Sequence, residues 1–199
     1  MNLLKPVAIA AALAASLLLT ACDKTPDPAA AAAAAKAAPA PVTIDAIKAE
    51  TTGFTVGSPM SVRTVYVFFD AQCPHCAALW NSAKPLKSQT KFVWIPVGVI
   101  NKASTTQGAT ILSSKDPSAT MEENETSILS KQGGISAGSG IDDMVAKVGK
   151  NTELFNKFGF ESIPTVVALH AQTGLLVKKE GSMPTPELAN FLGLAQPAQ

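Results

Sequence analysis

The sequence predicts an α/β domain with a helical insertion between its second and third core strands, and three observations carry that prediction. Two near-continuous β-branched and aromatic runs, Thr64–Phe69 and Lys91–Ile100, have the character of strands covered on both faces rather than one. The stretch from about Lys102 to Lys150 lacks strand character and carries helical patterning instead. A third apolar run, Pro164–His170, is followed by a turn and a partner strand, as in a hairpin.

Taken in order, the segment from Val42 to Val62 is moderately apolar, with a helix expected over Ile44–Glu50 and a strand over Phe54–Gly57. Thr64–Phe69 is the expected central strand, ending at Asp70-Ala71-Gln72. Cys73-Pro74-His75-Cys76 follows and leads into a helix to Gln89, whose apolar positions are Ala78, Leu79, Ala83 and Leu86. Pro96 interrupts or ends the second buried strand, because proline cannot donate to the ladder. The insertion, about 102–150, shows helical stretches over Gln107–Ser114, Ala119–Lys131 and Ile141–Val148, divided by Asp116-Pro117 and by the glycine-rich Gly133–Gly140. Asn151–Gly159 has the pattern of a separate short helix, with Asn151 as its cap and Gly159 just past its end. Ala171–Gly174 is then a turn, Leu175–Lys179 the hairpin partner and Pro186–Leu194 a closing helix.

At 199 residues the chain fits one domain with one well-buried core. Sixteen Lys and Arg against fifteen Asp and Glu leave no basic stripe to follow a phosphate backbone, so no nucleic-acid partner is expected. The N-terminus has the parts of a secretory signal over 1–21: Lys5 in a charged region, an apolar stretch from Val7 to Leu19, and small residues after it. Its end, Leu19-Thr20-Ala21-Cys22, resembles a bacterial lipobox, which implies a lipid on Cys22 and a membrane anchor. That assignment accounts for the odd cysteine, since an unpaired thiol is a liability in an oxidising compartment. Asp23 follows, and in the enteric version of lipoprotein sorting it implies the inner membrane. From Cys22 to Pro41 the chain is nearly all Ala, Pro, Asp, Lys and Thr, including seven consecutive alanines, and reads as a tether. It would span roughly 30 to 60 Å at about 1.5 to 3.1 Å per residue. The folded domain is expected over 42–199.

Two cysteines separated by two residues, where a buried strand gives way to a helix, form the geometry of a reversible dithiol switch. The unpaired N–H groups and the dipole at a helix start favour a thiolate there, which makes Cys73 the expected nucleophile. Cys76, one turn on, is placed to attack a mixed disulfide at Cys73 and release the partner, so it is the expected resolving thiol. His75 can stabilise the thiolate through its donor or its positive charge, and a stable reduced form makes a stronger oxidant. Pro74 lacks an N–H and presets φ, both tolerated in the first helical turn. Such exchange needs no metal and no other bound cofactor. Other chemistries compete: a structural staple, though a gap of two residues closes almost no loop; half of a zinc site, though the only other histidine is His170; and copper held by the thiolates, or a chaperone-like groove that uses the cysteines as support.

The element order, with Cys-X-X-Cys after the first central strand, resembles the thioredoxin fold, and Ser162-Ile163-Pro164-Thr165 sits where that fold places its cis-proline loop. The resemblance implies that Ile163, Pro164 and Pro74 line a substrate groove beside Cys73. Phe68 to Cys76, the helical insertion and Asn151 to Pro164 are similar to the catalytic domain of the DsbC and DsbG branch of periplasmic thiol:disulfide interchange enzymes. The likeness implies cysteine-bearing protein substrates, a membrane redox partner and a place in the bacterial envelope facing the periplasm. Two features depart from that branch: the Pro74-His75 dipeptide is typical of DsbA oxidases, and the sequence before Thr64 is too short for the dimerisation domain of the isomerases. Val67, six positions before Cys73, stands where thioredoxin has a buried carboxylate, so proton handling falls to water or His75. Trp80 and Trp94 are expected in the core or a groove wall, and His170 as a structural residue. Glu122, Glu123 and Glu125 are expected on a solvated helix face.

Overall fold

The computed structural model describes residues 38–197. The expected signal segment 1–21, Cys22 and most of the 22–41 tether lie outside the described residues. The packed body begins at Pro39, not at the Val42 that composition suggested. Ala40 donates its N–H to the Lys157 carbonyl at 2.8 Å, and Pro39 lies against Gly159. Small residues cannot fill a core, but their backbone still pairs, and composition does not report that. Among the described residues no helix is long and apolar enough to cross a membrane.

Helix α1, Ile44–Glu50, starts at Thr43, whose hydroxyl accepts the Ala46 N–H at 3.1 Å. Strands β1 (Phe54–Gly57), β2 (Thr64–Phe69), β3 (Lys91–Pro96), β4 (Thr165–Leu169) and β5 (Leu176–Glu180) form one sheet in the order β1-β3-β2-β4-β5. Strand β2 is central, as its unbroken apolar run predicts, and every residue after Thr64 in it is buried. It runs parallel to β3 and antiparallel to β4, with Val67 opposite Trp94 on one side and Val166 on the other. A parallel neighbour requires a crossover, which helix α2 (Pro74–Ala83) supplies.

Alternation along β2 sends its side chains to two separate cores. Val65, Val67 and Phe69 pack with Leu79 and Trp80 of α2, with Trp94, and with Leu188 and Leu192 of α6 (Thr185–Leu192). Tyr66 and Phe68 pack on the other face with Ile47, Ile95, Leu154 and Phe155. A slip of one residue would exchange the two sets, so both cores fix the same register. Trp80 and Trp94 are core residues whose rings meet edge to face at 5.0 Å. His170 follows β4 and holds the turn after it, its Nδ1 accepting the N–H groups of Gln172 and Thr173 at 3.4 Å.

Several boundaries differ from the sequence reading. Helix α2 ends at Ala83 and tightens into a 3₁₀ turn over Lys84–Leu86, because Pro85 has no N–H to continue the α ladder. Helix α3, Lys102–Ser113, begins five residues before the expected Gln107: Asn101 and Ser104 form a reciprocal capping box ahead of a polar first turn. Helix α4 is Pro117–Leu129. The largest correction concerns α5, Asp142–Lys157, one 16-residue helix where two were expected, so the insertion has no end near residue 150. Asn151 is not its cap but a buried mid-helix residue. Its amide donates to the carbonyls of Thr52 at 2.8 Å and Pro96 at 2.9 Å and accepts the Thr52 N–H at 2.8 Å. A polar side chain with these partners serves as a tie between α5, β3 and the lead into β1.

Candidate active site

Strand β2 delivers the chain to Asp70, a fully buried carboxylate. One oxygen accepts the Gln72 N–H at 2.9 Å, and the other accepts those of Val99 at 2.8 Å and Ile100 at 3.0 Å. The Asp70 carbonyl accepts the Cys73 N–H at 3.0 Å, closing the turn that sets Cys73 at the N-cap of α2 with Pro74 in the first helical position. Extended backbone at Cys73 (φ −98°, ψ 111°) lets its sulfur accept the Cys76 N–H at 3.3 Å. The two cysteines are unbridged thiols.

The expected groove residues gather at the same place. The Ile163-Pro164 bond is cis. The Ile163 carbonyl lies 3.9 Å from Cys73 Sγ, which donates to it. Pro164 is buried behind, while Pro74 and His75 are exposed on the rim. Cys73 is 4% exposed and Cys76 fully buried. Their thiols differ accordingly. Hydrogen bonding by the Cys76 thiol, helped by the backbone N–H groups of Cys76 and His75, pulls the Cys73 pKa below the ordinary thiol range, against burial and the nearby Asp70 charge. Burial pushes Cys76 well above that range, and its bond to Cys73 adds to the rise. His75 thus contributes its backbone to the Cys73 sulfur and is itself exposed.

The insertion closes over this site through a polar seam. Gln72 donates to the Gly133 carbonyl at 2.7 Å, and Gln107 of α3 donates to Gly133 at 2.9 Å and Ile135 at 2.8 Å. Gly134, at φ +85°, leaves no room for a Cβ, which would stand 2.7 Å from the Asn124 oxygen. Asn124 of α4 donates to the Ala71 carbonyl at 2.9 Å and accepts the Ile135 N–H at 3.1 Å. It anchors α4 two residues before Cys73.

Glu125 corrects the expectation of a solvated acidic face. Glu122 and Glu123 lie outward, Glu122 paired with Lys84 at 2.7 Å and with the Trp80 indole N–H at 2.6 Å, but Glu125 is 1% exposed. Neither of its carboxyl oxygens has a hydrogen-bond partner. Burial pushes its pKa up to about 9; the nearby Asn124 amide, whose hydrogen bond goes to the Ala71 carbonyl and not to Glu125, offsets part of the rise, and the charges of Cys73, Asp70 and Glu122 add to it. The spacing of α4 contained the signal: Met121, Asn124, Glu125 and Ile128 are its buried residues, an i, i+3, i+4, i+7 stripe with apolar ends. Among the described residues no three His, Cys, Asp or Glu side chains gather as a metal site would require.

A family model described as a thioredoxin-like domain matches residues 59–196. The thiol:disulfide interchange protein DsbG of Pseudomonas aeruginosa is 30% identical over 137 residues, covering 66% of this chain and 51% of that protein. DsbG of Escherichia coli is 40% identical over 65 residues, covering 32% of this chain and 26% of that one. The chain thus spans about half the length, or less, of these curated relatives. In structure it is similar to the catalytic domain of Proteus mirabilis ScsC, with a TM-score of 0.58 at 18% identity over 74% of this chain and 91% of that one. The thiol-disulfide exchange protein α-DsbA2 of Wolbachia pipientis gives 0.56 at 16% identity over 75% and 91%. These structural likenesses establish the shared fold, and the family match runs from just before β2 through α6, across the cysteines and the cis-proline loop; the chain belongs to the thioredoxin-like family.

Proposed function

We propose that this chain is a thiol:disulfide oxidoreductase of the bacterial envelope, exchanging disulfides with cysteine-bearing protein substrates through Cys73 and Cys76. The observation that carries the reading is the opposed setting of the two sulfurs: Cys73 at a helix start with its pKa lowered, Cys76 sealed behind it with its pKa raised. In the oxidising direction a substrate thiolate attacks Cys73 Sγ of the Cys73–Cys76 disulfide. The intramolecular bond breaks, Cys76 leaves with the electron pair, and a mixed disulfide forms. A second substrate thiolate then displaces Cys73, leaving an oxidised substrate and an enzyme dithiol. In the reverse direction Cys73 attacks and Cys76 resolves.

Ile163, Pro164 and Pro74 form the groove wall in this reading, with the Ile163 backbone beside the reacting sulfur. His75, on the rim, tunes Cys73 and meets the incoming substrate. Cys22 carries the lipid, on the inner membrane more than the outer, and a membrane redox partner restores the active form. The similarity to DsbG proteins supports the reaction class. The Pro74-His75 dipeptide favours disulfide donation.

The test is single-turnover exchange with a dithiol and a disulfide reporter peptide. Cys73→Ser is expected to abolish both reactions, and Cys76→Ser to accumulate a mixed disulfide at Cys73. Full exchange by Cys73→Ser would overturn the proposal. A reduction potential near about −200 to −230 mV, or below, would argue for isomerase or reductase work over strong oxidation.

A further inference from the structure

The dithiol reading leaves one proton without a carrier. Cys76 must gain a proton when its disulfide opens and lose one when it closes, yet it is fully buried and Val67 offers no acid on the sheet side. Two carboxyl groups influence the pair from inside the protein, Asp70 and Glu125. Asp70 is committed, both of its oxygens already accepting backbone N–H groups. Glu125 is not: it is 1% exposed, both oxygens lack partners, and none of the ion pairs among the described residues includes it. An unsatisfied buried carboxyl is costly, and its persistence on the buried stripe of α4, whose Met121 shares a core with Cys76 and where its charge bears on both thiols, calls for a use. Its position is not loose, since the neighbouring Asn124 ties α4 to the Ala71 carbonyl at 2.9 Å.

We propose that Glu125, delivered by the insertion helix α4 rather than by the central sheet, is the proton-exchange group of Cys76. When a substrate thiolate bonds to Cys73 Sγ, the Cys73–Cys76 bond breaks, Cys76 leaves with the bonding electron pair, and the Glu125 carboxylic acid passes it a proton, directly or through one water. When Cys76 attacks the mixed disulfide, the Cys76–Cys73 bond forms, the substrate sulfur departs as a thiolate, and the Cys76 proton returns to the carboxylate. The oxidant is the Cys73–Cys76 disulfide when it opens and the mixed disulfide at Cys73 when Cys76 resolves it, and no other enters either step. The inference rests on the dithiol exchange proposed above.

Electrostatics fit this assignment. Burial pushes Glu125 up to about 9, so at neutral pH it holds a proton ready to give. Burial also holds the Cys76 pKa well above the thiol range. Moving one proton between two buried acids keeps the number of buried charges constant, whereas ionising Cys76 into the solvent adds one. The groups that bear on Glu125 are Cys73 and Cys76 from α2, Asp70 from the end of β2, and Glu122 and Asn124 from its own helix. The Cys73 charge contributes to its rise. In the mixed disulfide Cys73 is neutral, and the carboxyl ionises more readily at the step that needs a base.

The experiment uses the full chain and stopped-flow exchange with a thiol peptide and with the mixed disulfide formed at Cys73. Glu125→Gln keeps the shape and removes the proton; it is expected to slow both opening and resolution roughly 100-fold at about pH 7 and to flatten the pH profile. Glu125→Asp is expected to recover part of the rate. Wild-type rates and an unchanged pH profile in a folded Glu125→Gln protein would overturn the proposal. Carboxyl ¹³C NMR of the wild-type protein decides independently of whether the variant folds. A Glu125 signal that titrates at about 9 in the dithiol form, and lower once Cys73 is blocked as a mixed disulfide, supports it; one indifferent to the state of Cys73 overturns it. Absence of any exchange by the wild-type protein would instead overturn the dithiol reading itself.

Discussion

Cys73 and Cys76 are one helical turn apart, yet the rim that holds the first and the interior that holds the second are different solvents. At the rim, a helix start presents unpaired N–H groups and a neighbouring thiol to the Cys73 sulfur, and the thiolate gains donors. Inside, Cys76 packs among apolar residues of the sheet-side core, any charge on Glu125 would oppose its ionisation, and a thiolate gains almost nothing. The comparison teaches that the motif specifies a pair of sulfurs, while their division of labour comes from what each is packed against.

The contrast breaks first under alkylation. With a small electrophile at neutral pH, native Cys73 is expected to react on the order of 1000-fold faster than Cys76, and the difference should collapse in denaturant. Mass mapping of the labelled sites measures it, and comparable native rates would remove the basis for separate roles.

A second prediction concerns the buried acid. The folded chain holds the Glu125 proton up to about pH 9, whereas the unfolded chain releases it near the ordinary 4.5. Between those values the unfolded state binds fewer protons, so this group makes stability fall as pH rises, by up to ~1.4 kcal/mol per pH unit. Urea unfolding of the wild-type protein should therefore lose about 3 kcal/mol between about pH 5 and pH 7 through Glu125, a loss that Glu125→Gln should not show. Equal slopes for the two proteins would place the carboxyl in a wetter site.

The smallest effect sharpens the geometry of the boundary. Asn124→Ala removes the bonds to Ala71 and Ile135 and leaves a buried carbonyl and N–H unpaired, at an expected cost of about 2 kcal/mol by denaturant unfolding. With α4 loosened, water should reach Glu125 and lower its pKa. A cost near zero would mean that α4 does not depend on this tie.

Some of the site could be read along the chain. Strand β2 announced itself because a strand buried on both faces is apolar at every position, and the cysteine motif because its chemistry is local to four residues. The cis-proline loop was legible through its place in the order of elements. Asn151 and Glu125 were misread for one shared reason: each is a polar residue on the buried stripe of a helix, where the residue type argues for solvent and the spacing argues for the core. Spacing was the better guide in both. The start of the packed body at Pro39 escaped because backbone pairing by small residues leaves no trace in hydrophobicity.

By itself the sequence determined the α/β order, the central strand, the paired sulfurs at a helix start and the proline opposite them, since each depends on period, turn chemistry or a motif a few residues long. Only the tertiary structure decided which acid is buried on the helix that covers the site, without a hydrogen-bond partner. Glu125 is 49 positions after Cys76 in the chain, and it comes to the site because α4 folds back over α2 and Asn124 ties it to Ala71. A carboxyl's affinity for a proton is set by the dielectric and charges around it, and those are properties of the packed interior.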